Sequence, residues 1–268
     1  MLFRSLDGWV TDHSSNQWAP IGKSAAVRGN ANLTDYAAVC REFSWPAGRA
    51  GLSGLPGGAG LNIGYEAVDR HVDAGRGDVV ALRWVDRQDP ITEISYAELS
   101  ARTNRFANLL RELGVRPGER VFTLLGRVPE LYVAALGTLK ARCVLSPLFS
   151  AFGPEPVRER MRLGDAAVLV TTPALYRRKV AAIRDGLPSL RHVLLVSPDP
   201  VPGMVTLAEA LAGQRAEFEI PPTDPEDMAL LHFTSGTTGK PKGALRRGVE
   251  PSAVLPRLER SEEHTSEL

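Results

Sequence analysis

VFTLLGRVPELYVAALGTLKARCVL, residues 121–145, reads as a strand, a helix and a second strand. Residues 121–125 are an apolar run of strand length. Pro129 suits the first position of a helix, where a missing N–H does no harm, and the helix runs through Lys140. Val144 and Leu145 then form a short strand. The alternation continues with a helix around 156–163, a strand at 166–171, a helix at 175–184 and a strand at 193–196. Upstream, 79–85 reads as a strand. Residues 96–113 read as an amphipathic helix with Leu99, Phe106, Leu109, Leu110 and Leu113 on one stripe and Gly114 just past its end. Asn62 is placed to cap a helix carrying Tyr65, Val68 and Val72. Apolar strands alternating with helices predict an α/β fold, a mainly parallel sheet with flanking helices. Ligands of such sheets bind beyond the carboxyl ends of the strands.

The chain has 268 residues, of which 43% are hydrophobic and 24% charged. This suits a globular protein and excludes fibrous, disordered and disulfide-stapled classes. Thirty-two Lys and Arg balance 31 Asp and Glu, a net charge of +1. No general attraction to nucleic acid or an anionic membrane is expected, so an anionic ligand needs a local cluster. Cys40 and Cys143 lie too far apart in sequence for a metal-ligand spacing and read as ordinary thiols of a reducing cytoplasm. Residues 1–13 contain Arg4, Asp7 and Asp12 and lack the apolar core of a secretory signal. The apolar stretch 131–149 is interrupted by Lys140, Arg142 and Pro147, so it does not read as a membrane span. Ser266-Glu267-Leu268 only approximates a peroxisomal address. Residues 1–60, rich in Gly and Pro towards their end, read as an irregular N-terminal extension.

After a Pro-rich break at 221–225, residues 228–233 form another apolar run of strand length. Thr234-Ser235-Gly236-Thr237-Thr238-Gly239-Lys240-Pro241-Lys242-Gly243 follows at once. Glycines let backbone N–H groups approach an anion, hydroxyls donate to phosphate oxygens, and lysines supply charge. These are the parts of a polyphosphate cradle. It is not a Walker A loop, which needs four residues between its glycines and Ser or Thr after its Lys; here two residues separate Gly236 from Gly239, and Pro241 follows Lys240.

The segment 233–243 resembles the phosphate-binding signature of the acyl-adenylate-forming enzymes. Two further blocks look like the acetyl-CoA synthetase branch of that family. One runs from Arg127-Val128-Pro129-Glu130-Leu131-Tyr132 through Lys140 to Leu148-Phe149-Ser150-Ala151-Phe152-Gly153-Pro154-Glu155; the other is Leu61-Asn62-Ile63 with Asp69-Arg70-His71. The resemblance implies an incomplete N-terminal domain of the adenylate-forming fold over 61–245. It implies AMP-forming ligation of acetate to CoA, with ATP, magnesium and CoA as small-molecule partners, and no nucleic acid or membrane. Another short- or medium-chain acyl-CoA synthetase is the alternative. Thr234, Ser235, Gly236, Thr237, Thr238, Gly239 and Lys240 would hold the triphosphate, with Lys242 as a further candidate. Arg177, Arg178 and Lys179 resemble in position a basic segment that contacts the CoA nucleotide. No spacing marks a protein metal site, so magnesium is expected to be held partly by ATP. His71, His192 and His232 read as structural, His232 as a core histidine of its apolar run.

The family's acyl pocket, ribose-binding Asp and C-terminal domain with its catalytic Lys follow the phosphate loop and have no counterpart here. The resemblance stops after Leu245, leaving 246–259 unassigned. Arg142 stands where the family commonly has glycine, which implies an altered turn. Residues 260–268, Arg260-Ser261-Glu262-Glu263-His264-Thr265-Ser266-Glu267-Leu268, match the in-frame translation of a widely used sequencing adapter and are set aside from the fold. The 268 residues alone are therefore expected to be inactive, a remnant with weak or no nucleotide binding.

Overall fold

The computed structural model describes residues 35–85, 91–224, 226–235 and 241–247. The chain divides into two compact units, Met1–Ala47 and Gly48–Leu268. The first contains α1 (Tyr36–Glu42), capped by Asp35, whose carboxylate accepts from the Ala38 N–H at 2.9 Å. A second short helix, α2 (Trp45–Ala50), spans the division, and neither helix has a buried residue. Helical turns therefore stand where an irregular extension was expected.

In the second unit a π-helical turn (Tyr65–Asp69) leads into α3 (Arg70–Asp73). An antiparallel pair follows, β1 (Val80–Trp84) with β2 (Thr92–Ser95), and then α4 (Tyr96–Glu112). The main elements are β3 (Arg120–Leu124), α5 (Pro129–Lys140), β4 (Val144–Pro147), α6 (Pro154–Leu163), β5 (Ala166–Thr171), α7 (Pro173–Lys179), β6 (His192–Leu195), β7 (Val205–Thr206), α8 (Leu207–Ala212), β8 (Met228–Ser235) and β9 (Pro241–Arg247). The seven-stranded sheet has the order β7-β6-β5-β3-β4-β8-β9. All neighbours are parallel except the hairpin β8–β9.

Alternation along the strands builds two cores. Val121, Val168 and Val170 pack with Phe106, Leu110 and Val133 of α4 and α5. Phe122, Leu124 and Leu169 pack with Val157 and Met161 of α6. The sheet is thus covered on both faces. Gly137 brings α5 against α4; a Cβ there would lie 2.7 Å from the Thr103 carbonyl oxygen. No described helix is long and apolar enough to cross a membrane.

The expected helix over 175–184 is two pieces. α7 stops at Lys179, and Ala181–Gly186 is a 3-10 turn, with Val180 fully buried between them. β2, β7, α8 and β9 were not expected. β9 is poor in strand-forming residues, with Pro241, Lys242 and Gly243 at its start, and it exists because β8 offers it a partner.

The residues at 61–71 that carried part of the resemblance form a polar knot. Asn62 Oδ1 accepts from the N–H groups of Gly64 and Tyr65, and its amide donates to the Leu139 carbonyl at 2.8 Å. Lys140, fully buried at the end of α5, donates to Asp69 Oδ1 at 2.7 Å and to Asn104 Oδ1 at 2.8 Å. From α4, the Asn104 amide donates to the Ala216 carbonyl and the Asn108 amide to those of Arg215 and Glu217, each at 2.9 Å. Residues 215–217 are thereby strapped along α4 on the way to β8.

Arg142 turns the chain with φ of 56°, the left-handed region that glycine occupies most easily. Its guanidinium donates to Asp227 Oδ2 at 2.8 and 3.1 Å, just before β8. Glu119 precedes β3 and accepts two hydrogen bonds from Arg191, at 2.9 and 3.0 Å, and one from the Arg116 N–H at 2.7 Å. The Arg191 guanidinium holds this carboxyl at about 2, below its ordinary 4.5. The folded value lies under the unfolded one, so the pair adds stability above pH 4.5 that is lost as pH falls from 4.5 towards 2. Glu119→Gln is expected to flatten the fall of the urea midpoint over that window. An unchanged slope would remove Glu119 from the acid response.

Candidate functional site

Because β3, β4, β5, β6 and β8 are parallel, their carboxyl ends share one edge of the sheet. β4 and β8 are neighbours whose onward connections leave in opposite directions, one back across β3 towards β5 and the other out to β9. Open α/β sheets bind ligands beyond the carboxyl ends of their strands. Thr234 and Ser235 end β8 on that edge, and Pro241, Lys242 and Gly243 begin β9.

Leu145 pairs with Leu230, and the Ser146 hydroxyl donates to the Leu231 carbonyl at 3.0 Å, tying β4 to β8. Thr234 pairs with Lys242 across the hairpin, and Ser235 with Pro241. Directly paired residues share a face, so Thr234 and Lys242, both exposed, stand side by side at the end of β8. On the other face Leu231 and Phe233 join the core with Phe122, and the two rings lie 6.3 Å apart. Gly243 faces Phe233; a Cβ there would lie 3.3 Å from Leu231 Cδ1 and 3.4 Å from Phe233 Cε1. Gly236, Thr237, Thr238, Gly239 and Lys240 lie outside the described residues.

His232 is exposed, on the same side of the hairpin as Thr234 and Lys242. The expectation of a core histidine is therefore corrected. β8 and β9 bury only the Leu231 and Phe233 side, so an apolar neighbourhood in sequence did not place His232 inside. His71 stacks on Tyr96 with ring centroids 4.4 Å apart and contacts Arg76. Burial, and then the Arg76 charge, push its imidazole below its ordinary pKa.

The turn 148–153 follows β4 on the same edge. Its aromatic pair Phe149 and Phe152 meets edge-on at 5.7 Å, with Phe149 exposed. Arg177, Arg178 and Lys179 occupy the last turn of α7, which follows β5 on that edge. Arg177 and Arg178 are exposed, whereas Lys179 is half-buried and donates to two backbone carbonyls of the 148–153 turn. Sequence reasoning grouped these three by charge and missed that division. It also missed Arg160, whose guanidinium lies over the Phe152 ring, because carbonyl and ring acceptors leave no spacing signal. Among the described residues no group of three His, Cys, Asp or Glu could hold a metal ion.

Residues 68–247 match the family described as AMP-binding enzyme. Acetyl-coenzyme A synthetase of Bacillus subtilis is 37% identical over 223 residues, 82% of this chain and 38% of that protein. This chain thus spans about two-fifths of the relative it matches. Among solved structures, an acyl-CoA synthetase of Brucella canis superposes with a TM-score of 0.68 at 28% identity, covering 79% of this chain and 38% of its own. The anthranilate CoA ligase AuaEII, solved with anthranoyl-AMP, gives a TM-score of 0.64 at 25% identity, covering 70% of this chain and 35% of its own.

Proposed function

The chain belongs to the AMP-binding enzyme family, and from that premise we propose that it is part of an AMP-forming acid–CoA ligase of the cytoplasm, with acetate as its acid. The observation that carries the reading is the place of the Thr234–Lys242 pair, at the carboxyl end of β8 beside β4. In the proposed reaction a carboxylate oxygen attacks the α-phosphorus of magnesium ATP. The bond to the bridging oxygen breaks, and pyrophosphate leaves with its electron pair. The thiolate of CoA then attacks the acyl carbon and AMP departs.

The chain's own contribution to the first step is electrostatic. Charge grows on the leaving pyrophosphate, and donors fixed beforehand stabilise it without reorganising. Thr234 and Lys242 stand on an antiparallel pair anchored to β4, so their spacing is set before ATP arrives. Ser235, Gly236, Thr237, Thr238, Gly239 and Lys240 are proposed to complete the cradle.

Acetate is favoured by the relative in Bacillus subtilis. The fold is shared with an enzyme named for anthranilate, so the architecture does not choose the acid. The test uses the whole gene product, read from genomic DNA through and past codon 245. Acetate-dependent exchange of pyrophosphate into ATP is the expected result. Exchange with propionate or butyrate in preference to acetate would move the assignment to another short-chain ligase. Absence of exchange with every acid would overturn the ligase reading. The 268-residue chain by itself is expected to be silent.

A further inference from the structure

Lys179 reaches from the end of α7 to the turn that follows β4. Its Nζ donates to the carbonyls of Ser150 and Phe152, at 2.5 Å each. An ammonium has three donors and no acceptor, so two of the three are committed to this turn. From the other side Arg160 of α6 sets its guanidinium 4.3 Å from the Phe152 ring centroid and donates to the Pro156 carbonyl at 3.0 Å. The base of the turn is tied down as well. The Leu148 N–H donates to the Thr123 carbonyl of β3 at 2.8 Å, and β4 is bound to β8 through Ser146. The turn is thus held at its base by β3 and β8, at its apex by α7 and at its ring by α6.

We infer that Lys179 is a positioning residue that fixes the 148–153 turn as a wall beside the carboxyl end of β8, and is not an anion ligand. With two of its three N–H groups held by carbonyls of the turn, Nζ has only one left to offer an anion. Arg177 and Arg178 are exposed one turn away, and the single bond of Arg178 Nε, to the Ala174 carbonyl, is long at 3.3 Å. The basic run therefore divides by role, with the two arginines facing solvent and the lysine facing protein.

The inference refines the ligase reading, and its test separates the two. In the whole gene product, Lys179→Met is expected to speed backbone-amide hydrogen exchange at 149–152 about tenfold, the effect of losing charged hydrogen bonds. It is expected to slow acetate-dependent pyrophosphate exchange, which needs no CoA, about tenfold through misplacement of the wall. The KM for CoA in the complete reaction should stay within about twofold, because a positioning residue that does not touch CoA leaves its binding intact. Lys179→Arg, which can still donate to both carbonyls, should restore much of the amide protection. A KM for CoA raised about tenfold, with pyrophosphate exchange and amide protection intact, would make Lys179 a CoA ligand and overturn the inference. Unchanged amide exchange in Lys179→Met would overturn it too. Should the unaltered protein lack pyrophosphate exchange, the ligase reading fails while the amide measurement still decides the role of Lys179.

Discussion

Lys140→Met is expected to destabilise the protein by about 3 kcal/mol, the lower end of the cost of orphaning one partner of a buried ion pair. Lys140 is the hub of the knot between α5, α4 and the π-helical turn, with no exposed side-chain surface. Burial pushes its ammonium below the ordinary lysine pKa, and Asp69 opposes that shift. Methionine keeps the stem and its packing but leaves Asp69, among the described residues, with the Ser100 hydroxyl at 2.5 Å, and Asn104 Oδ1 without the ammonium. The Asp69 side chain keeps 16% exposure, so water reaches it, which is why the lower end applies. Urea unfolding measures the effect. Replacing both partners, as Lys140→Met with Asp69→Leu, should cost less than the two single changes added together, because neither charge is then stranded. Strictly additive losses, or a loss under about 1 kcal/mol for Lys140→Met, would show that the pair is hydrated in solution.

Lys240→Ala is expected to lower acetate-dependent pyrophosphate exchange in the whole gene product by about 10²–10³-fold, the usual effect of deleting one fixed transition-state donor. The loss should fall on kcat and kcat/KM alike, since the charge it meets grows only as pyrophosphate departs. Lys242→Ala should cost about tenfold or less, because Lys242 is an exposed strand residue paired with Thr234 and its charge is shared with solvent. A reversed order, Lys242→Ala crippling and Lys240→Ala mild, would transfer the phosphate role along the hairpin. Equal, small effects would place the driving charge elsewhere.

Much of the scaffold around this hairpin was readable from local pattern. α5 begins at Pro129 and ends at Lys140 as its composition indicates, and β5 spans the expected 166–171. Asn62 caps the turn it precedes. Signals of this kind act over a few residues: a missing N–H, a capping oxygen, an apolar run between breakers. The errors arose where a distant partner decided. β9 has weak strand propensity and forms on β8. His232 sits in an apolar run and is nonetheless exposed, because only one face of β8 is covered. Arg142 occupies a glycine-like conformation, held by Asp227, 85 residues away.

The amino-acid sequence by itself determined the class of fold, the parallel alternation and the chemical character of residues 234–243, since periodicity and local composition are short-range properties of the chain. Tertiary structure alone decided the order β7-β6-β5-β3-β4-β8-β9, which puts the end of β8, with Thr234, beside β4. It also decided that Lys179, adjacent in sequence to two solvent-facing arginines, turns to the backbone of residues 150 and 152. Both outcomes depend on pairing and hydrogen bonding between residues about 30 to 85 positions apart, where no local pattern records the partner.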